Sequence, residues 1–186
     1  ALLSEEGKAD PARLDSRRVW IVDPLDGTRE YWEGRADWAV HVALSIDGVA
    51  VAGAVAMPSI GRTFVSGEVT LAPATGPLSL IVSRTRPPDV ARRVAAALGA
   101  TLIQRGSAGA KAMAVVMGEA HGYLHAGGQY EWDSAAPVAV AAAAGLHVSR
   151  LNGEPLRYNQ ADPLLPDLLI CRPELAEAIL QAVAAV

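Results

Sequence analysis

The order of hydrophobic patterns along the chain predicts an α/β fold (α+β in some schemes) made of two joined halves. Residues 1–76 carry apolar stretches that alternate with polar positions and are separated by short Gly turns, the mark of an antiparallel sheet. Residues 77–186 alternate short apolar runs with longer Ala-rich ones, the mark of strands interleaved with helices. The Pro-bounded segment Pro73 to Pro77 reads as the loop between the halves. With 186 residues, 51% of them hydrophobic and 19% charged, the chain can bury a substantial core in this arrangement.

Ala1-Leu2-Leu3 reads as the end of a strand already under way, and with no Met at position 1 we expect native sequence upstream. Val19 to Val22 is an apolar strand that delivers Asp23-Pro24-Leu25-Asp26-Gly27-Thr28. Pro24 presets its φ for the second position of a β-turn, which puts Asp23 and Asp26 at the first and last places, Cα atoms less than about 7 Å apart. Trp38 to Ile46, the turn Asp47-Gly48 and Val49 to Met57 form a hairpin, and Arg62 to Val65 and Glu68 to Leu71 extend its sheet. In the second half, strands are expected at Leu78 to Ser83, Thr101 to Gln104, Gly122 to Ala126 and Leu168 to Cys171. Helices are expected at Pro87 to Leu98, Ser107 to Gly118, Asp133 to Ala144 and Pro173 to Ala185. The segment His147 to Leu151 leads into an Asn152-Gly153 turn.

Net charge is −4 and the pI about 5.5, with acids and bases scattered, so the chain has no electrostatic footprint for nucleic acid or an anionic membrane. A single cysteine, Cys171, excludes an intramolecular disulfide and a thiolate-rich zinc site. No apolar run approaches the roughly 20 residues of a membrane span, and no signal-peptide pattern opens the chain. The cytoplasm is the simplest compartment.

Two carboxylates as close as Asp23 and Asp26 repel each other unless a cation lies between them. Gly27 lets the backbone approach a ligand, and Thr28 adds a hydroxyl beside backbone N–H groups that can hold an anion. The same residues also make an ordinary surface turn. Ser4-Glu5-Glu6 is by itself a solvated acidic pair or a ligand, and Asp133, in Trp132-Asp133-Ser134-Ala135-Ala136, is by itself a helix cap or a ligand. Taken together, three acidic elements plus the Leu25 carbonyl form the kind of oxygen donor set that holds Mg²⁺. Arg84 and Arg86 follow a strand, where they either clamp a phosphate or are solvated, and Gly106 with Ser107 opens a helix able to receive an anion. Lys111 either reaches a substrate or snorkels from its helix.

Ser4-Glu5-Glu6, Trp20-Ile21-Val22-Asp23-Pro24-Leu25-Asp26-Gly27-Thr28 and Trp132-Asp133-Ser134-Ala135-Ala136 followed by Ala144-Gly145 resemble, in order, the motifs of the inositol monophosphatase superfamily. Ser83 to Pro87, Gly106 to Lys111 and Gly153 to Tyr158 resemble its CysQ-type 3′(2′),5′-bisphosphate nucleotidase branch, actinobacterial members above all. The resemblance implies a layered αβαβα sugar-phosphatase-like sandwich and a lithium-sensitive, Mg²⁺-dependent phosphomonoesterase. In that branch the substrate is 3′-phosphoadenosine 5′-phosphate and the setting sulfate assimilation.

By the same resemblance, Glu5, Asp23, the Leu25 carbonyl, Asp26 and Asp133 ligate two or three Mg²⁺, and Gly27 and Thr28 hold the phosphate under in-line attack by water. Substrate contacts are implied for Arg84, Arg86, Gly106, Ser107 and Lys111. Two features depart from the family pattern. An upstream helical segment, whose Asp partners the threonine, has no counterpart here, so the layer over the first sheet is expected to be missing. Where inositol phosphatases place an acidic sugar contact, this chain has His125-Ala126-Gly127-Gly128-Gln129-Tyr130. Two rival readings follow: a broader inositol phosphate and fructose 1,6-bisphosphate phosphatase, and an inactive metal- or nucleotide-binding module. The expected partner is a small phosphorylated substrate, and homodimers are common among relatives.

Overall fold

The computed structural model describes residues 1–8 and 10–185. The first half forms a five-stranded sheet in the order β1 (Leu2–Ser4), β2 (Arg18–Asp26), β3 (Ala39–Ile46), β4 (Val49–Met57), β5 (Arg62–Val65), antiparallel except for the β1–β2 pair. A short helix, α1 (Thr28–Trp32), follows β2. The second half supplies β6 (Ser79–Ser83), α2 (Asp89–Leu98), β7 (Thr101–Arg105), α3 (Ala108–Val116), β8 (Gly122–Tyr130), α4 (Glu131–Ala143), β9 (His147–Ser149), β10 (Leu164–Cys171) and α5 (Ala176–Ala184). Its sheet runs β7-β6-β8-β10-β9, with β6 parallel to both neighbours and β10 antiparallel to both of its own.

The Ala-rich helices α3 and α4 lie between the sheets, because only small side chains let two sheets close on one helical layer. Val19, Ile21, Ala43 and Val55 meet Ala135, Ala136 and Val140 in this first core. On the far face of the second sheet, Leu80, Val82, Leu124 and Leu169 meet Val94 of α2 and Ile179 of α5 in a second core. The result is four layers, sheet, helices, sheet, helices, which is the αβαβα sandwich implied by the family resemblance less its first helical layer. Among the described residues no helix covers the outer face of the first sheet, where Leu2, Trp20 and Val42 are exposed.

Several boundaries differ from the sequence reading. Asp23 to Asp26 is not a β-turn: Asp23 pairs with His41 and Asp26 with Ala39, so three steps on β2 match two on β3. The extra residue makes a β-bulge, the position where a strand tolerates Pro24 without an N–H to give. Glu68 to Leu71 is not a strand either. Glu68 lies in the turn after β5, and Val69 and Leu71 instead pack irregularly onto the first core. β8 and β10 are longer than expected because they pair with each other out to Tyr130 and Leu164. The last helix begins at Ala176, after a 3-10 turn at Pro173–Leu175.

Candidate active site

The bulge in β2 aims Asp23 and Asp26 at the N-terminus of α4. Asp23 Oδ1 accepts the Leu25 N–H at 2.9 Å, and the Leu25 carbonyl accepts the Thr28 hydroxyl at 3.1 Å while keeping its second lone pair. Gly27, at φ 88°, is the left-handed hinge between β2 and α1. From α4, Asp133 completes a group in which Asp23, Asp26 and Asp133 each offer a carboxylate oxygen, all within 4.8 Å of one another. Asp133 is the third residue of the helix and its Oδ2 accepts the Tyr130 N–H at 2.5 Å, so it ties down the helix start as well as joining the trio.

These carboxylates are poorly matched to protein alone. Burial, and after it the charge of Asp26, holds both Asp23 and Asp133 well above the usual carboxylate range. Glu5, exposed after β1, lies outside the tight trio but adds its charge to the same repulsion. A buried cluster made only of hard oxygen donors fits a divalent cation, which would reverse the sign of that repulsion.

Asp26 has a second set of partners. Its Oδ2 accepts the Ser107 hydroxyl, and it accepts the Gly109 N–H at 2.8 Å. The anion received at the start of α3 is therefore the carboxylate of a neighbouring strand, where the sequence suggested a substrate phosphate. Gly106 is likewise committed, donating its N–H to Asp37 Oδ2 at 2.7 Å. Arg84, read from sequence as a phosphate clamp, is taken by α1 and the residue after it: its Nη2 lies 2.9 Å from Glu30 Oε1 and 2.7 Å from Glu33 Oε2. These contacts clasp the two halves together beside the carboxylates.

A cleft of about 580 Å³ opens over the site, lined by Asp26, Gly27, Thr28 and Asp133 and also by Arg86 and Lys111. Lys111 is buried; its Nζ donates to the Ser107 carbonyl at 2.6 Å and sits 5.2 Å from the centre of the Tyr123 ring. Burial pulls its pKa down to about 8 against the opposing pull of Asp26. Tyr123, His125 and Gln129 supply a neutral wall, and burial with nearby Lys111 keeps the His125 ring uncharged, its pKa down at about 4. Another cleft, of about 520 Å³, has Arg35 and Arg105 in its walls, but Asp37 and Glu119 already neutralise them at 2.7 Å each.

Sequence reasoning missed His41, Asp37 and Glu30. His41 is fully buried; its Nδ1–H donates to the Trp132 carbonyl at 3.1 Å, and its Nε2 lies 3.3 Å from Asp26 Oδ2. β3 alternates Val40, Val42, Leu44 and Ile46 with Ala39, His41, Ala43 and Ser45, and it is the smaller, more polar set that faces inward, the reverse of what hydrophobicity alone suggests. Glu30 carries no sequence signal, because its partner Arg84 is distant in sequence, and Asp37, though it pairs locally with Arg35, gives no sign of its bond to Gly106.

Comparison with known proteins agrees with this geometry. The family described as "Inositol monophosphatase family" matches residues 1–186. A 3′-phosphoadenosine 5′-phosphate phosphatase of Mycobacterium bovis is 55% identical over 99% of this chain and 73% of its own length. The 3′(2′),5′-bisphosphate nucleotidase CysQ of Escherichia coli K12 is 31% identical over 88% of this chain and 72% of its own. The crystal structure of CysQ from Bacteroides thetaiotaomicron superposes with a TM-score of 0.82 at 30% identity, covering 92% of this chain and 76% of that one.

Proposed function

Since the chain belongs to the inositol monophosphatase family, a family of metal-dependent phosphoric monoester hydrolases, we propose that it removes the 3′-phosphate of 3′-phosphoadenosine 5′-phosphate in a Mg²⁺-dependent reaction. The observation that carries this reading is a cleft lined both by the cations Arg86 and Lys111 and by Asp26 and Asp133, two of the three carboxylates whose oxygens lie within 4.8 Å of one another. Such a site suits a substrate with two phosphates, one at the metal and one against the cations. The names of the Mycobacterium bovis and Escherichia coli relatives support the same substrate class.

Asp23, Asp26, Asp133, Glu5 and the Leu25 carbonyl are the proposed metal ligands. Bound there, Mg²⁺ supplies charge to polarise the phosphoryl oxygens and acidify water. Gly27 and Thr28 orient the 3′-phosphate, the latter with a hydroxyl already held toward the site by the Leu25 carbonyl. Arg86 can pair bidentately with the 5′-phosphate, and Lys111 adds a point charge beside it. Arg84, Gly106 and Ser107 act on the substrate indirectly, by holding α1, Asp37 and Asp26. The broader sugar phosphatase remains a second reading, favoured by the neutral wall of Tyr123, His125 and Gln129, which offers hydrogen bonds that a polyol can take.

The deciding experiment compares kcat/KM for 3′-phosphoadenosine 5′-phosphate, fructose 1,6-bisphosphate and inositol 1-phosphate, with and without Mg²⁺ and with lithium. The nucleotide is expected to lead by about tenfold or more, through contacts the other two cannot satisfy. A sugar phosphate in first place would select the broader phosphatase. No Mg²⁺-dependent phosphate release from any of the three would leave only a binding module.

A further inference from the structure

Outside the cleft, a buried ionic clamp grips the first residue of α4. Glu131 is 1% exposed, and its Oε2 and Oε1 accept the N–H groups of Asn159 and Gln160 at 2.5 and 2.7 Å. Asn159 has φ 60°, a left-handed conformation that lets two successive N–H groups converge on one anion. Arg13, 5% exposed, closes the other side. Its Nη1 donates to Asn159 Oδ1 at 2.6 Å and its Nη2 to the Gln160 carbonyl at 2.7 Å, while Asn159 Nδ2 donates back to the Arg13 carbonyl at 3.0 Å. The Glu131 N–H donates in turn to the Pro163 carbonyl at 2.8 Å.

The location of this clamp gives it a consequence at the carboxylate trio. Arg13 lies in the 3-10 turn Pro11–Asp15, which leads into the strand carrying Asp23 and Asp26. Glu131 lies two residues before Asp133, in the helical turn whose Tyr130 N–H holds the Asp133 carboxylate. Neither Arg13 nor Glu131 lines the cleft. We infer that Glu131 and Arg13 are positioning residues for the metal centre: their clamp through Asn159 and Gln160 fixes where α4 delivers Asp133 relative to Asp23 and Asp26. The inference rests on the metal reading proposed above. Both oxygens of Glu131 are used as acceptors, so a carboxamide, with one acceptor and one donor end, sets an N–H against an N–H.

The test is isothermal titration of Mg²⁺ into the full chain without substrate, alongside the melting temperature. Groups that orient metal ligands typically change affinity by 10- to 100-fold, so Glu131→Gln should weaken Mg²⁺ binding by about tenfold and Arg13→Met by less, with KM at saturating Mg²⁺ unchanged. Val94→Ala, a cavity in the second core remote from α4, serves as the stability control: it should lower the melting temperature and leave Mg²⁺ affinity alone. The inference is overturned if both clamp variants bind Mg²⁺ within about twofold of the parent, below the range such groups show. It is equally overturned if Val94→Ala reproduces the loss. Should Glu131→Gln fail to fold, Arg13→Met decides alone. Asp133→Asn separates the two levels: unchanged Mg²⁺ binding in that variant overturns the metal reading itself, and the clamp's role with it.

Discussion

Asp26 illustrates how one side chain joins the chemistry to the fold. One of its oxygens is bound up with Ser107 and Gly109 of the second half, while the residue as a whole stays in the trio with Asp23 and Asp133. Lys111 is the residue whose state should be visible in kinetics. Burial lowers its pKa to about 8, so its charge is complete below that pH and disappears as pH rises through it, well before an exposed lysine would titrate. The expected outcome is a KM for the bisphosphate substrate that climbs above about pH 8, with kcat less affected. Lys111→Met should show the high KM at every pH. Identical KM profiles for parent and variant would remove Lys111 from the substrate site.

At the scale of elements, the close approach of α3 to β3 is a tight constraint. A Cβ on Gly109 would lie 2.2 Å from His41 Nε2 and 3.1 Å from the Ala39 Cβ. His41 has little room to yield, since it is fully buried and bonded to the Trp132 carbonyl. Gly109→Ala gains about 1 kcal/mol of helix propensity but overpacks the junction by about 1–3 kcal/mol, and a net fall in stability is expected. Thermal or urea unfolding checks it, and an increase in melting temperature would show that the junction is looser than these distances require. The same scale explains two misreadings of the sequence. Pro-Leu-Asp-Gly is local turn chemistry, yet pairing with β3 carries β2 through it as a bulge. Glu68 to Leu71 alternates like a strand but does not pair with the edge strand β5, and its apolar residues go to the core instead.

For the whole molecule, the buried carboxylates link stability to both pH and metal. Asp23 is pushed up to about 9 and Asp133 to about 7, each mainly by burial and then by Asp26. A raised folded-state pKa means that the native state holds its proton where the unfolded chain, with carboxylates near pH 4, has lost it. Their contribution to stability is thus fully present below about pH 4 and declines as pH climbs, through about 7 for Asp133 and about 9 for Asp23. Mg²⁺ binds only the ionised native cluster, so it should raise the melting temperature more at about pH 8.5 than at about pH 5.5. Scanning calorimetry in chelator and in Mg²⁺ at the two pH values checks this; an equal shift at both would argue against a metal at the trio.

Much of the fold was legible because it rests on patterns that repeat locally. Alternation in β3 and β4, the Ala-rich run of α4 and the Gly-marked turns needed only neighbours in sequence, and the three acidic motifs were visible as oxygen donors before their distances were known. The sequence alone therefore determined most of the order of elements and the residue types of the acidic cluster, while the layering of helices between sheets was implied by the family resemblance. Tertiary structure decided the partners: that Ser107 and Gly109 serve Asp26, that Arg84 answers Glu30, and that Arg13 meets Asn159 across 146 positions. The physical reason is that a charged group commits to whichever opposite group burial brings within hydrogen-bond reach, and that choice is made only when the two halves close on each other.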